Sequence, residues 1–131
     1  MEMPNGYFKE LASEDFAFLT TKFGMITSAW DVGPGISHIE YKGPRLTVRF
    51  SYEPFGPPWC DISDNEGQGL YHRLPVEVDD PTATELANML GHFDAELMKR
   101  HHRAIAEWLS AARPVLEGWL DEHAEMAPHP A

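Results

Sequence analysis

The stretch Val78-Asp79-Asp80-Pro81 decides the fold, because the hydrophobic pattern of the chain changes its period there. Before it, short segments alternate apolar and polar residues between turns rich in glycine and proline, a pattern typical of β-strands. After it, apolar residues recur every three or four positions, as on one face of a long helix. The two patterns predict an α+β protein in which a sheet and a helical layer cover each other.

The part before the junction predicts one short helix and then four or five strands. Residues 13–23 form the predicted helix, with Ser13 as the N-cap and Gly24 just beyond the end. The predicted strands are 25–31, 36–41, 45–53, 59–62 and 70–78. Residues 45–53 alternate strictly between apolar and polar, which predicts one buried and one solvated face. Strands joined in sequence by short turns predict an antiparallel meander.

The part after the junction predicts a long helix that starts at Asp80 or Thr82. Its apolar stripe continues to Ala112, and Arg113-Pro114 is expected to kink or end the helix. Residues 115–123 then form a short last helix. We expect these helices to pack on one face of the sheet, within a single domain of residues 1–131 that has flexible ends at 1–12 and 124–131.

The chain is acidic, with 21 acidic and 10 basic residues and a formal net charge of −11. This charge argues against unaided binding to nucleic acid. It serves solubility alone or matches a basic protein partner. No secretory signal or membrane-spanning apolar run is visible, and Cys60 is the single cysteine, so the expected location is the cytoplasm and no membrane is involved.

His101 stands out because it occupies a position of the helical stripe where an apolar residue is expected. One interpretation is a buried histidine with a carboxylate partner. The other is a cleft residue with a shifted pKa, paired with a sheet-side acid such as Asp61 or Glu77. In the second interpretation His101, His72 and Asp61 are the candidate catalytic residues.

The seven histidines do not have the spacing of a metal site. His92, His101 and His102 are separated by nine and by one, whereas ligands on one helix face need a spacing of three or four. The sequence therefore predicts no metal and no cofactor. Cys60 has no local histidine signature of a nucleophilic cysteine, which favours a buried structural thiol.

The proline-rich segment 54–60 contains the best candidates for partner binding. Phe55 and Trp59 lie there among three prolines and a glycine, which stiffen the backbone. The two rings either point to solvent as interface anchors or fold back over the edge of the sheet.

The order of elements resembles that of small bacterial immunity-type proteins of toxin systems. A short helix that ends Asp15-Phe16-Ala17-Phe18-Leu19 and Phe23-Gly24 is followed by a meander and a long C-terminal helix. The likeness covers most of the chain as an order of elements. It implies a protein that neutralises a cognate toxin by binding it and that has no catalytic residues.

Two functions are therefore carried forward. The first is a non-enzymatic acidic binding protein, with an immunity-type inhibitor as its most concrete form and a basic protein as its partner. The alternative is a small enzyme or ligand-binding domain with a cleft between the sheet and the long helix. A homodimer is compatible with either.

Overall fold

The protein has an α+β fold that consists of an N-terminal helix, a five-stranded antiparallel meander and a long C-terminal helix. The computed structural model describes residues 4–32, 36–53, 57–64, 70–78, 80, 85 and 94–123. Its elements are α1 (Pro4–Asp15), α2 (Phe18–Thr21), β1 (Ile26–Val32), β2 (Ile36–Lys42), β3 (Leu46–Tyr52), β4 (Trp59–Asp64), β5 (Leu70–Arg73) and α3 (Ala95–Glu122).

The five strands lie in sequence order, β1-β2-β3-β4-β5, and every neighbouring pair is antiparallel. The predicted meander is therefore confirmed. A tight turn joins β2 to β3, where the Gly43 N–H donates to the Leu46 carbonyl at 2.9 Å. The register places Ile39 opposite Phe50, and Phe50 opposite Cys60.

The core is one cluster that combines alternate residues of the central strands with residues of α1 and α3. Its strand members include Ile39, Tyr41, Val48, Phe50, Tyr52, Cys60 and Ile62. Its helix members include Phe8, Ala12, Ile105, Trp108, Leu109, Ala112, Leu116 and Leu120. The ring centroids of Phe8 and Tyr52 are 5.5 Å apart, so α1 contacts β3 directly. Packing of the helices on a single face of the sheet stays a prediction.

The first helix begins earlier than the sequence analysis predicts. Ser13 lies inside α1 instead of capping it, and Phe8 and Ala12 are fully buried where a flexible end is expected. These two residues are four apart, so they lie on one helix face and can both reach the core. Gly24 has φ 69°, as its predicted role after the end of a helix requires.

The long helix differs from its prediction at both ends. It begins after Asp94, whose backbone is extended. The Asp94 carboxylate caps the helix by accepting hydrogen bonds from the N–H groups of Glu96 and Leu97. The predicted starts at Asp80 or Thr82 lead into residues 81–84, which lie outside the described part of the chain. An uninterrupted helix from there to residue 113 is wrong, because the backbone is extended at Asp94.

The predicted end of the long helix at Pro114 and the separate last helix 115–123 are also wrong, since α3 continues through Pro114 to Glu122. A kink at Pro114, the other expected outcome, stays a prediction. Pro114 is exposed, and Ser110, whose carbonyl loses its partner, is exposed as well. Ala112 and Leu116 of the same helix are fully buried in the core, so packing on both sides of Pro114 in sequence supports the helical conformation there.

The second face of β3 is less solvated than its alternating pattern predicts. Thr47 and Ser51 are buried there, and only Arg49 between them is exposed. Ser51 lies between His38 on β2 and Trp59 on β4. Small side chains on a central strand are shielded by longer cross-strand neighbours, so burial there does not need a second layer.

Candidate functional site

His101 is fully buried, and both of its ring nitrogens are hydrogen-bonded. Nδ1 lies 2.7 Å from the Asp80 carboxylate, and Nε2 lies 2.5 Å from the Tyr52 hydroxyl. A carboxylate only accepts, so Nδ1–H donates to Asp80 and, in the neutral ring, Nε2 accepts from Tyr52. We call Tyr52, Asp80 and His101 the buried triad.

The buried triad joins three separate parts of the fold. Tyr52 ends β3, Asp80 follows the last described segment after β5, and His101 lies in α3. The acid that pairs with His101 is therefore Asp80, and not Asp61 or Glu77 as the sequence analysis proposes. The Asp80 side chain is only 4% exposed, so this contact lies away from solvent.

The order of groups in the buried triad is carboxylate, imidazole and hydroxyl, as in nucleophilic triads. Chemistry of that kind needs a substrate next to the hydroxyl. Tyr52 and His101 are both 0% exposed, and Tyr52 also contacts the Phe8 ring. In this arrangement the three groups hold β3, α3 and the chain at Asp80 together.

The other two candidate catalytic residues lie elsewhere. His72 stacks on Trp119 of α3, with ring centroids 5.8 Å apart, and the ring of His123 stacks on Trp119 at 3.9 Å. Asp61 alternates with buried core residues along β4, so it lies on the sheet face opposite to them, where Arg73 donates to it at 2.6 and 3.2 Å. The structure therefore does not bring His101, His72 and Asp61 together.

Cys60 lies on β4 opposite Phe50 and is fully buried in the core cluster. Burial, together with the charge of Asp61, raises the pKa of the Cys60 thiol well above its ordinary value of 9.0. The thiol is therefore neutral in the folded protein and lacks the thiolate that a nucleophile needs.

Of the two candidate anchors for a partner, Phe55 lies outside the described residues. Trp59 is the first residue of β4, partly buried and opposite Ser51. Ser51 is in turn hydrogen-bonded to His38, with 2.8 Å between Oγ and Nδ1. Burial first, and the charge of Arg49 second, lower the pKa of His38, so its ring is neutral near pH 7.

Trp59 belongs to the sheet face that points away from the core cluster, which we call the outer face. A row of alternating charges crosses it, with Glu40, Arg49, Asp61 and Arg73 opposite one another on β2 to β5. Arg49 pairs with Glu40 at 2.6 Å, and Arg73 pairs with Asp61 at the same distance. The side chains of Glu40 and Asp61 are 7% and 24% exposed, whereas those of Arg49 and Arg73 are 48% and 61% exposed.

A pocket of about 260 Å³ lies on the outer face between Arg49, Asp61, Ser63 and Leu70. Leu70 is 60% exposed, and its neighbour Tyr71 is also exposed. We call the lining residues, together with Trp59 and Arg73, the outer-face patch. The patch combines half-exposed guanidinium groups with uncovered apolar surface.

Of the residues in the outer-face patch, only Trp59 and Asp61 were predicted as candidate site residues from the sequence. Arg49 is recognisable as a polar residue of an alternating strand, but its neighbours across the sheet depend on register. Arg73 and Leu70 are close to it only because a register shift between Ile62 and Ser63 sets the position of β5.

No protein-family model, curated protein or solved structure matches the chain. Among the described residues, no three His, Cys, Asp or Glu side chains are grouped so as to hold a metal ion. None of the described helices has both the length and the apolar character that crossing a bilayer requires.

Proposed function

We propose that this chain is a non-enzymatic binding protein that contacts a protein partner through the outer-face patch. The observation that carries the proposal is the combination of half-exposed Arg49 and Arg73 with exposed Leu70 and partly buried Trp59. Tryptophan and arginine are the residue types that most often dominate binding energy at protein interfaces. These residues belong to β3, β4 and β5, so the paired strands hold their side chains in a fixed arrangement.

The partner in this proposal is basic. The arginines of the outer-face patch are already paired with Glu40 and Asp61, so the patch adds little to the long-range field. The net charge of −11 then determines electrostatic steering, and it attracts a positively charged protein. Contacts with the patch provide specificity after the encounter.

The most concrete form of this function is an immunity-type inhibitor that neutralises a toxin in the cytoplasm. This form is supported by the order of elements. An N-terminal helix, a meander and a long C-terminal helix follow one another, which resembles the order in small bacterial immunity-type proteins. A basic toxin would be attracted by the charge of this chain. Binding alone is then sufficient for function, and no catalytic group is needed.

The test begins with purification of the partner from the source cell and measurement of its affinity by calorimetry. We expect Trp59→Ala and Arg73→Gln each to weaken binding by about tenfold or more. Arg113→Gln is the matched control, because Arg113 is an exposed arginine on α3, near Phe18. Unchanged affinity in both patch variants, with the fold verified by circular dichroism, contradicts the proposal.

The alternative function is a small enzyme or ligand-binding domain that uses the interface between the sheet and α3. The order of groups in the buried triad favours it, and the complete burial of His101 opposes it. Tyr52→Phe separates the two, because it removes the hydroxyl and keeps the ring. An enzyme that uses the triad loses its activity with this change, whereas a binding protein keeps its affinity for its partner.

A further inference from the structure

β1 is an unusually open edge of the sheet. It occupies one end of the strand order and has seven residues, each paired with β2 in regular register. Within the described part of the chain no strand lies on its other side. Ile26 is 76% exposed, and the next three residues, Thr27, Ser28 and Ala29, are exposed as well.

The opposite edge is protected in the ways that proteins use against unwanted strand pairing. β5 has only four residues, a register shift adjoins it, and Arg73 and Pro75 end it. β1 contains no proline, no lysine or arginine and no bulge, and Asp31 is its one charged residue. Long, regular and uncharged edges are those that pair with another chain.

The register shows which backbone groups of β1 are available. Gly43 and Leu46 form a hydrogen-bonded pair at the β2–β3 turn. Bonded pairs alternate along antiparallel strands, so the odd-numbered residues of β2 bond to β3 and the even-numbered ones bond to β1. The residues of β1 opposite those even-numbered positions are Ile26, Ser28, Trp30 and Val32. The N–H and C=O groups of Thr27, Ala29 and Asp31 therefore point away from the sheet.

We infer that β1 pairs with β1 of a second copy of this chain, antiparallel and about a two-fold axis at Ala29. This register places Ala29 opposite the partner's Ala29, and Thr27 opposite the partner's Asp31. The outward groups of all three residues are then paired, which gives about six new backbone hydrogen bonds. The two five-stranded sheets become one continuous sheet.

The charges within β1 agree with a second copy as the occupant. A two-fold register would place like charges together if the strand had a charge at its centre, but its centre is Ala29. Asp31, the single charge of the strand, lies opposite Thr27 of the second copy in this register and not opposite a like charge. The net charge of −11 on each copy opposes this association, so the dimer is expected to be stronger at higher salt.

Sedimentation equilibrium of the purified chain tests the inference. We expect the average mass to rise with concentration from 14.8 kDa toward twice that value. Ala29→Pro removes an outward N–H that the monomer does not use, so the monomer should fold and the dimer should be lost. Ala29→Lys places two positive charges at the two-fold axis and should also give a monomer. Val115→Lys changes an exposed apolar residue on α3 and should leave the dimer intact.

A wild-type chain that stays monomeric in high salt overturns the inference, and so does a dimer that survives both Ala29 variants. If the chain is monomeric, but Ala29→Pro abolishes binding of the purified partner, the edge belongs to a strand of that partner and not to a second copy. The outer-face patch is on β3 to β5, away from this edge. Loss of the dimer therefore leaves the binding function untouched.

Discussion

His101 holds its imidazole between an acceptor and a donor that come from two other parts of the chain. A buried histidine in an apolar stripe is costly unless both nitrogens are paired, and here Asp80 and Tyr52 pair them. The same contact satisfies the carboxylate of Asp80. The contact between His101 and Asp80 should therefore stabilise the fold, because loss of either member removes a hydrogen bond from a buried polar group.

We predict that His101→Ala lowers the free energy of unfolding by roughly 3 kcal/mol, since it removes the hydrogen bond between the imidazole and the buried Asp80 carboxylate. Urea unfolding of His101→Ala, Asp80→Ala and the double variant measures this. We expect the double variant to be less destabilised than the sum of the two single variants. Additive losses would show that the two side chains act independently. Affinity for the partner should not change if the fold is retained.

The stability of the protein should fall at alkaline pH because of two buried groups. Burial raises the pKa of Tyr41 from 10.0 to about 12 and raises that of Cys60 above 9.0. Both groups keep their proton in the folded chain and release it more readily in the unfolded chain. Their contribution is therefore complete below about pH 9 and is lost as the pH rises. Urea midpoints between about pH 8 and pH 11 should decrease, and more weakly in Cys60→Ala and Tyr41→Phe.

At this scale the sequence identified the unusual residue but not its partner. His101 is visible because it interrupts a periodic stripe. The sequence also draws attention to Asp80, but as an N-cap in front of Pro81. Capping a helix and pairing with a buried histidine are both common roles of an aspartate. The choice between the two depends on how the chain after β5 returns across the sheet, and no local pattern encodes that path.

Among the elements, α3 is the one whose boundaries are the most informative. The apolar stripe in the sequence runs past Asp94 without interruption, so its period alone does not show that the backbone is extended there. The sequence Asp94-Ala95-Glu96-Leu97 has an N-cap aspartate with an acid in the first turn, which is a local start signal. Pro114, in contrast, does not end the helix, so a proline alone is not a sufficient stop signal.

We predict that Pro114→Ala stabilises the protein by about 1–3 kcal/mol, because it restores a helical hydrogen bond and removes a clash while burying nothing new. Ser110→Ala is the matched control, as Ser110 is an exposed residue of the same helix with ordinary propensity, and it should change stability by less than about 0.5 kcal/mol. Thermal unfolding of both variants gives the comparison. Destabilisation by Pro114→Ala would mean that α3 needs the proline for its shape.

The strands were predictable because turns separate them and a one-residue error moves a side chain to the other face. The early start of the first helix was not, since Phe8 and Ala12 are only two apolar residues on one helix face. Their burial depends on β3, where Tyr52 stacks against Phe8. The outer-face patch was hidden for a related reason, because it is assembled across strands and not along one.

At the scale of the whole molecule, the two proposed associations should respond oppositely to salt. We predict that an increase in NaCl from about 0.05 to 0.5 M weakens binding of the basic partner by roughly an order of magnitude, because screening removes the attraction of a chain with net charge −11. The same change should strengthen dimerisation through β1, because it removes repulsion between two acidic copies. Calorimetry and sedimentation at both salt concentrations measure the two responses.

Because salt is expected to weaken one association and strengthen the other, the two measurements together test the role of the net charge. If both associations weaken with salt, the surface around β1 must attract its second copy locally, and the net charge does not govern it. If neither responds, the −11 is spread too evenly to act at either site and serves solubility alone. Only a decrease for the partner together with an increase for the dimer agrees with an acidic chain that uses its outer face for one partner and its open strand edge for itself.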